Sequence, residues 1–249
     1  MIRVTIIGSG NVAEALAIAL SGCDGEVLQL VEVAGRNEER LVQISQITGC
    51  RTSNIENLAE ADIYILSVSD DTIENLAHSL IRPAESLLVH TAGSVPMGEL
   101  DGVIYPMQSF TKGRRVNFRE VPLFIEGDSP VIAAVANAIS SNVIEMSSER
   151  RKTLHLAAVF ACNFTNAMLT ATHEILSQED IPYDLYRPLV EETISKAFTS
   201  TPHEAQTGAA RRGDMKIQSR HVEMLRHDEN LTQIYKIISK YIWETSKKI

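Results

Sequence analysis

The stretch Ile2-Arg3-Val4-Thr5-Ile6-Ile7-Gly8-Ser9-Gly10-Asn11-Val12-Ala13-Glu14 decides the fold. Ile2, Val4, Ile6 and Ile7 make a short apolar strand, and Glu14 to Leu20 reads as a helix. Strand, glycine turn and helix form the dinucleotide-binding fingerprint in its G-x-G-x-x-A version. Gly8 permits the tight turn. Gly10 lets backbone approach a pyrophosphate. Ala13 lets helix and strand pack closely. The first N–H groups of the helix have no partner within it and suit a phosphate. Gly8, Ser9, Gly10, Asn11 and Val12 are therefore the expected pyrophosphate site.

Outward from that stretch, the 249 residues suit one large or two modest domains, and a 44% hydrophobic share is enough for a real core. The net charge is −9 and the longest basic run is Arg150-Arg151-Lys152, so a nucleic-acid partner is not expected. No segment reads as a membrane span, and the start is a strand, unlike a signal peptide. Cys23, Cys50 and Cys162 are scattered, without a zinc-binding spacing. Free thiols in a reducing cytoplasm fit that pattern.

The second strand, Val27 to Ala34, bears on which nucleotide fits. An acidic residue at its end holds ribose hydroxyls, whereas an arginine nearby accommodates a 2′-phosphate. Gly35-Arg36-Asn37 follows the strand, while Glu32 lies two residues before its end. Arg36 and Asn37 thus favour NADP. Glu38 to Ile47 is expected as a helix. Ala61 to Val68 reads as a strand covered on both faces, ending in Ser67-Val68-Ser69-Asp70-Asp71. Asp70 or Asp71 is expected to cap the helix Thr72 to Leu80. Ser86 to His90 is the next strand, leading into Thr91-Ala92-Gly93-Ser94. Ser67, Val68 and Ser69, with Thr91, Ala92 and Gly93, should line the cofactor cleft at the carboxyl end of the sheet. His90 reads equally as a packed residue at a strand end.

Val103 to Tyr105 is a short strand entering Pro106-Met107-Gln108-Ser109-Phe110. Val121 to Ile125 reads as an edge strand, Val131 to Ser140 as a helix and Asn142 to Met146 as a last strand. This alternation predicts a doubly wound, mostly parallel α/β sheet over 1–147 and an all-α domain over 148–249. In the second part, Glu149 to Leu176 reads as one long helix with a small-residue apolar face and a solvated basic first turn. Asp184 to Phe198 is a further helix. Thr201-Pro202-His203-Glu204 is a capping box whose short helix ends at Gly208, and Asp228 caps the last helix.

The motifs converge on a resemblance. The matching stretches are Gly8 to Ala13, Gly35 to Asn37, Ser67 to Asp71, His90 to Ser94, Tyr105 to Phe110, His155 to Phe164, Gln206 to Asp214 and His221. In them the chain resembles the NADP oxidoreductase-like Rossmann proteins, the superfamily of pyrroline-5-carboxylate reductase and the deazaflavin-dependent NADP oxidoreductases. It is most similar to their branch with a helical C-terminal domain of unknown function. The resemblance implies NADP binding and a homodimer formed through the helical domain.

Hydride transfer by a nicotinamide leaves the protein to position substrate and move a proton. His155 is the leading candidate, since imidazole titrates near neutral pH. Asn163 lies at i+8, roughly on the same helix face. The resemblance puts His155 where related reductases carry lysine, and Asn163 at an asparagine position. Arg211 and Arg212, with Gln206 nearby, could clamp a substrate carboxylate, or Arg211 or Arg212 could pair with Asp214 to fix a loop. The expected activity is an NADP-dependent hydride transfer to or from an imine or carbonyl compound carrying a carboxylate. The alternative is an NADP-binding sensor or regulatory dimer without turnover.

Overall fold

The computed structural model describes residues 1–247. At its centre lies an eight-stranded sheet of β1 (Ile2–Ile7), β2 (Leu28–Ala34), β3 (Arg51–Ser53), β4 (Ile63–Leu66), β5 (Leu87–His90), β6 (Gly102–Pro106), β7 (Leu123–Glu126) and β8 (Val143–Glu145). The spatial order is β3-β2-β1-β4-β5-β6-β7-β8. Strands β1 to β6 are parallel; β7 runs antiparallel to β6 and parallel to β8. The order reverses between β1 and β4, the switch point where open α/β sheets bind ligands. This is the Rossmann-like architecture expected from the sequence.

Helices α1 (Asn11–Ser21), α2 (Glu38–Thr48), α3 (Ile73–Ser79) and α4 (Pro130–Ile139) cover the sheet. Side chains alternate along β4: Ile63 and Ile65 join Leu16, Leu41 and Ile132 in one apolar cluster, whereas Tyr64 and Leu66 join Ile73 in another. A strand covered on both faces reads as a continuous apolar run for this reason.

Several local details differ from expectation or escaped it. The strand at 121–125 is not an edge: β7 lies between β6 and β8, and Pro122 precedes it. Strand β3 was not legible, because Arg51-Thr52-Ser53 has no apolar alternation. Neither Asp70 nor Asp71 caps α3. Residues 70–72 form a 3₁₀ turn, and Asp70 instead accepts a hydrogen bond from Ser94 Oγ.

The chain packs into two compact units, residues 1–164 and residues from 165 onward. Helix α5 (Ser148–Ala158) belongs to the first and continues through a π-helical turn, Val159–Phe164, into α6 (Thr165–Ser177). The basic start of α5 is solvated as expected at Arg150 and in part at Lys152, but not at Arg151. Arg151 is fully buried, ion-paired with Glu126 and donating to the Val95 carbonyl at 2.7 Å. Burial acts to raise the Glu126 carboxyl, but hydrogen bonds from Arg151 and Ser148 outweigh it and hold the group below its usual range.

Ser148–Ser177 contains an 18-residue window long and apolar enough to cross a membrane by length and composition alone, although no span is expected from the sequence. It nevertheless carries the buried Arg151 and the polar His155, Asn163 and Asn166.

The second unit contains α7 (Arg187–Thr199), α8 (Pro202–Ala205), α9 (Ala209–Arg212), α10 (Met215–Met224) and α11 (Glu229–Ser246). The capping box at Thr201 and Glu204 is present, and Asp228 caps α11 by accepting from the Leu231 N–H at 2.9 Å. The helix expected to reach Gly208 is split. It stops at Ala205, and Gly208, at φ 101°, turns the chain into α9.

Candidate active site

Loops at the carboxyl ends of β1, β2, β4, β5 and β6 line one cleft of about 1130 Å³. Gly8, Ser9, Gly10, Asn11, Val12, Arg36, Asn37, Ser67, Val68, Ser69, Thr91, Ala92 and Gly93 all face it. The sequence therefore singled out residues that the fold brings together.

At the glycine turn the fit to a diphosphate can be tested. Gly8 has φ 134°, and a Cβ there would stand 2.0 Å from the Ser67 carbonyl oxygen. Only glycine allows this approach of β1 to the loop after β4. Nothing lies within 4 Å of a Cβ on Gly10. Gly10 is also the N-cap of α1 and offers no side-chain cap, so the first-turn N–H groups are left for a ligand. An exposed backbone, unpaired donors and the positive end of a helix together fit a diphosphate.

Arg36 is exposed at the cleft, beyond the end of β2. Asn37 caps α2 by accepting from the Arg40 N–H at 3.1 Å, which commits its carbonyl oxygen. Glu32 turns into the fold. It accepts from the Ala59 N–H and lies 3.3 Å from Arg51 Nε, so it is not a ribose ligand. Sequence reasoning missed Arg40. Its guanidinium pairs with Glu14 and donates from Nε to the Ser9 carbonyl at 3.2 Å, joining α1, α2 and the glycine turn.

His90 is fully buried. Its Nδ1 accepts from the Ala92 N–H at 3.1 Å and its Nε2 donates to the Pro96 carbonyl at 3.1 Å. Burial pushes its pKa down to about 4, outweighing the Pro96 carbonyl. His90 is a neutral clamp that shapes residues 91–96. The Ser94–Asp70 hydrogen bond ties that loop to the one after β4.

The far end of the cleft is built around His155. Residues four apart share a helix face, so the burial of Arg151 directs His155 toward the sheet as well. His155 Nδ1 lies 3.2 Å from Tyr105 Oη, with the rings edge-to-face at 5.9 Å. A Cβ on Gly93 would stand 2.6 Å from His155 Nδ1 and 2.8 Å from Tyr105 Cζ. Gly93 is therefore the space in which the pair sits. Burial pushes the Tyr105 phenol above its usual pKa, against the opposite pull of Arg151. Tyr105 was missed, although its place at the carboxyl end of a parallel strand was a legible signal.

Asn163, in the π turn, does not line this cleft. It lines a neighbouring cavity of about 500 Å³ that shares Tyr105, Gln108 and His155 with it. His155 and Asn163 thus face one space, whose other walls include Leu154, Ala157 and Ala161. π turns concentrate at functional sites.

Gln206, Arg211 and Arg212 lie in the second unit. Arg211 donates to the carbonyls of Glu204 and Gln206, and Gln206 donates to the Thr207 carbonyl at 3.0 Å. Asp214 caps α10 through the Ile217 N–H at 3.1 Å and forms no ion pair with either arginine. Arg212 is exposed.

Comparison with known proteins divides the chain earlier, so that the last two strands of the sheet fall with the helical region. Residues 3–93 match the family described as NADP oxidoreductase, coenzyme F420-dependent, and residues 121–242 match DUF2520, a domain of unknown function. No curated protein matches the chain. A provisionally named NADP oxidoreductase from Bacteroides fragilis is 37% identical over 98% of both chains, with a TM-score of 0.89. An imine reductase variant from Myxococcus stipitatus, solved with NAD+, shares the fold at 18% identity and a TM-score of 0.61, over 99% of this chain and 94% of its own. A pyrroline-5-carboxylate reductase from Coxiella burnetii shares it at 16% identity and a TM-score of 0.54, over 99% of this chain and 98% of its own. The chain belongs to the NADP oxidoreductase-like Rossmann proteins, in the branch that joins this nucleotide-dependent oxidoreductase fold to a helical domain of unknown function.

Proposed function

We propose that the protein is an NADP-dependent oxidoreductase that transfers a hydride to or from a small imine or carbonyl compound carrying a carboxylate. The observation that carries this reading is one continuous cleft, from the uncapped start of α1 to the Tyr105–His155 pair. Bound nicotinamide would supply or accept the hydride. The chain's own residues have separate tasks. Gly8 to Val12 hold the diphosphate through backbone N–H groups. Arg36 holds the 2′-phosphate, with the Asn37 amide N–H₂ as a further donor. Ser67 to Ser69 and Thr91 to Gly93 wall the cleft. His155 moves the proton, and Asn163 orients substrate in the adjoining cavity. Arg212, and the guanidinium N–H groups that Arg211 does not commit to carbonyls, suit a carboxylate.

We also assign the working form as a cytoplasmic homodimer joined through the helical unit. Exposed apolar side chains on α7 and α11 support the dimer, and the free thiols of Cys23, Cys50 and Cys162 suit a reducing compartment.

Titrating NADPH and NADH into wild type and Arg36→Ala tests the cofactor reading. The substitution should weaken NADPH roughly tenfold to a hundredfold and leave NADH unchanged, as loss of charge-assisted hydrogen bonds would. Equal affinities before and after remove Arg36 from the 2′-phosphate. A substrate screen following NADPH absorbance separates an enzyme from a sensor. His155→Ala should lower any turnover about 10²–10⁴-fold while NADPH still binds.

A further inference from the structure

His90 and His155 flank the turn at Gly93, and they use their ring nitrogens differently. His90 commits both, Nδ1 to the Ala92 N–H and Nε2 to the Pro96 carbonyl. His155 commits Nδ1 alone, to Tyr105 Oη at 3.2 Å, and its Nε2 makes no hydrogen bond to the described residues. Tyr105 is 8% exposed, and His155 Nδ1 is the hydrogen-bond partner of its hydroxyl among those residues.

A phenol has one proton to donate, and leaving that proton unpaired in a buried site is costly. If Nδ1 carried the hydrogen, it would donate to Oη and leave the phenolic proton with no protein acceptor among the described residues. If Nδ1 is bare, Tyr105 donates and both groups are satisfied. We infer that Tyr105 is a positioning residue: it donates to His155 Nδ1, favours the Nε2–H tautomer of the uncharged imidazole, and so presents Nε2–H as the hydrogen-bond donor to the substrate's reacting atom. The burial that raises the phenol's pKa acts in the same direction, keeping the donor protonated. Gly93 completes the device, since a side chain there would strike both Nδ1 and the Tyr105 ring. The inference deepens the reading of His155 as the proton-transfer residue and rests on it. The substrate's polar atom is thereby required to accept a hydrogen bond from Nε2–H, as a carbonyl oxygen or an imine nitrogen does.

The experiment is long-range ¹H–¹⁵N correlation of the histidine side chains in the full-length ¹⁵N-labelled protein, without nucleotide or substrate. His155→Gln identifies the resonances. Wild type should show His155 with a bare Nδ1 and a protonated Nε2. In Tyr105→Phe the ratio of the Nε2–H to the Nδ1–H form should fall roughly threefold to tenfold, as loss of one hydrogen bond implies. His90 should not change. Protonated Nδ1 in wild type, or an unchanged ratio in the folded variant, overturns the inference. If the variant does not fold, the wild-type spectrum decides alone. Because neither NADPH nor turnover enters the readout, failure of the oxidoreductase reading would show separately, in the Arg36→Ala titration.

Discussion

The two units bury their apolar side chains very differently. Residues 1–164 enclose Ile6, Leu16, Val33, Ile65, Ile104 and Val135 almost completely between sheet and helices. Among described residues from 165 onward, Leu176 and Leu231 are the only buried apolar side chains. Leu185, Leu189, Phe198, Met215, Ile237 and Tyr241 are more than 60% exposed, Phe198 reaching 86%. A unit with amphipathic, well-capped helices but so small an interior has the local signals of folding without the burial that stabilises a fold. The difference teaches that the sheet unit carries its own apolar core, whereas the helical unit leaves large apolar faces open, the feature on which the proposed homodimer rests.

The comparison breaks most directly at the exposed face. Phe198→Asp combined with Tyr241→Asp should weaken self-association roughly a thousandfold or more, about 4 kcal/mol, measured by sedimentation equilibrium. A wild-type monomer at micromolar concentration would remove the need for a partner.

A smaller effect belongs to the sheet unit. His90 has a folded pKa of about 4 against 6.5 for the ordinary group. Between those values the unfolded chain binds more protons than the folded one. The stability is therefore full above pH 6.5, falls as the pH drops toward 4, and amounts to roughly 3 kcal/mol. Denaturant titrations across that window should show a shallower decline in His90→Gln, with no dependence on protein concentration.

The smallest effect sharpens the contrast. Ile65→Val in β4 should cost about 1 kcal/mol at any protein concentration. Ile237→Val, at a site 67% exposed, should cost less than about 0.5 kcal/mol if the helical unit stands alone. It should approach the Ile65 value, with a concentration-dependent Tm, if a second copy covers it.

The parts legible in the sequence were those governed by local rules. The apolar run at 63–66, the glycine turn at 8–10 and the caps at Thr201 and Asp228 each carry their reason within a few residues. The parts that escaped depend on partners distant in the chain. Arg151 looked like a surface cation until Glu126 and the Val95 carbonyl surrounded it. Arg40 finds Ser9 and Glu14 across the first βαβ unit. Asp70 has a good capping residue's chemistry but is claimed by Ser94. The cofactor loops were readable because a parallel sheet puts every carboxyl end on one side. Tyr105 lies on that side too, yet it shows its use only beside the helix that brings His155.

Gly93 has a bearing on how this site can vary among homologues. The missing Cβ is not there to suit its own backbone but to leave room for two rings contributed from other elements. Positions 93, 105 and 155 should therefore change as a set. A homologue that keeps tyrosine and histidine is obliged to keep glycine, and one that abandons either ring is free to fill the gap. Read in reverse, a bulkier residue at that point in a related sequence marks a chain whose proton chemistry has been rebuilt or given up.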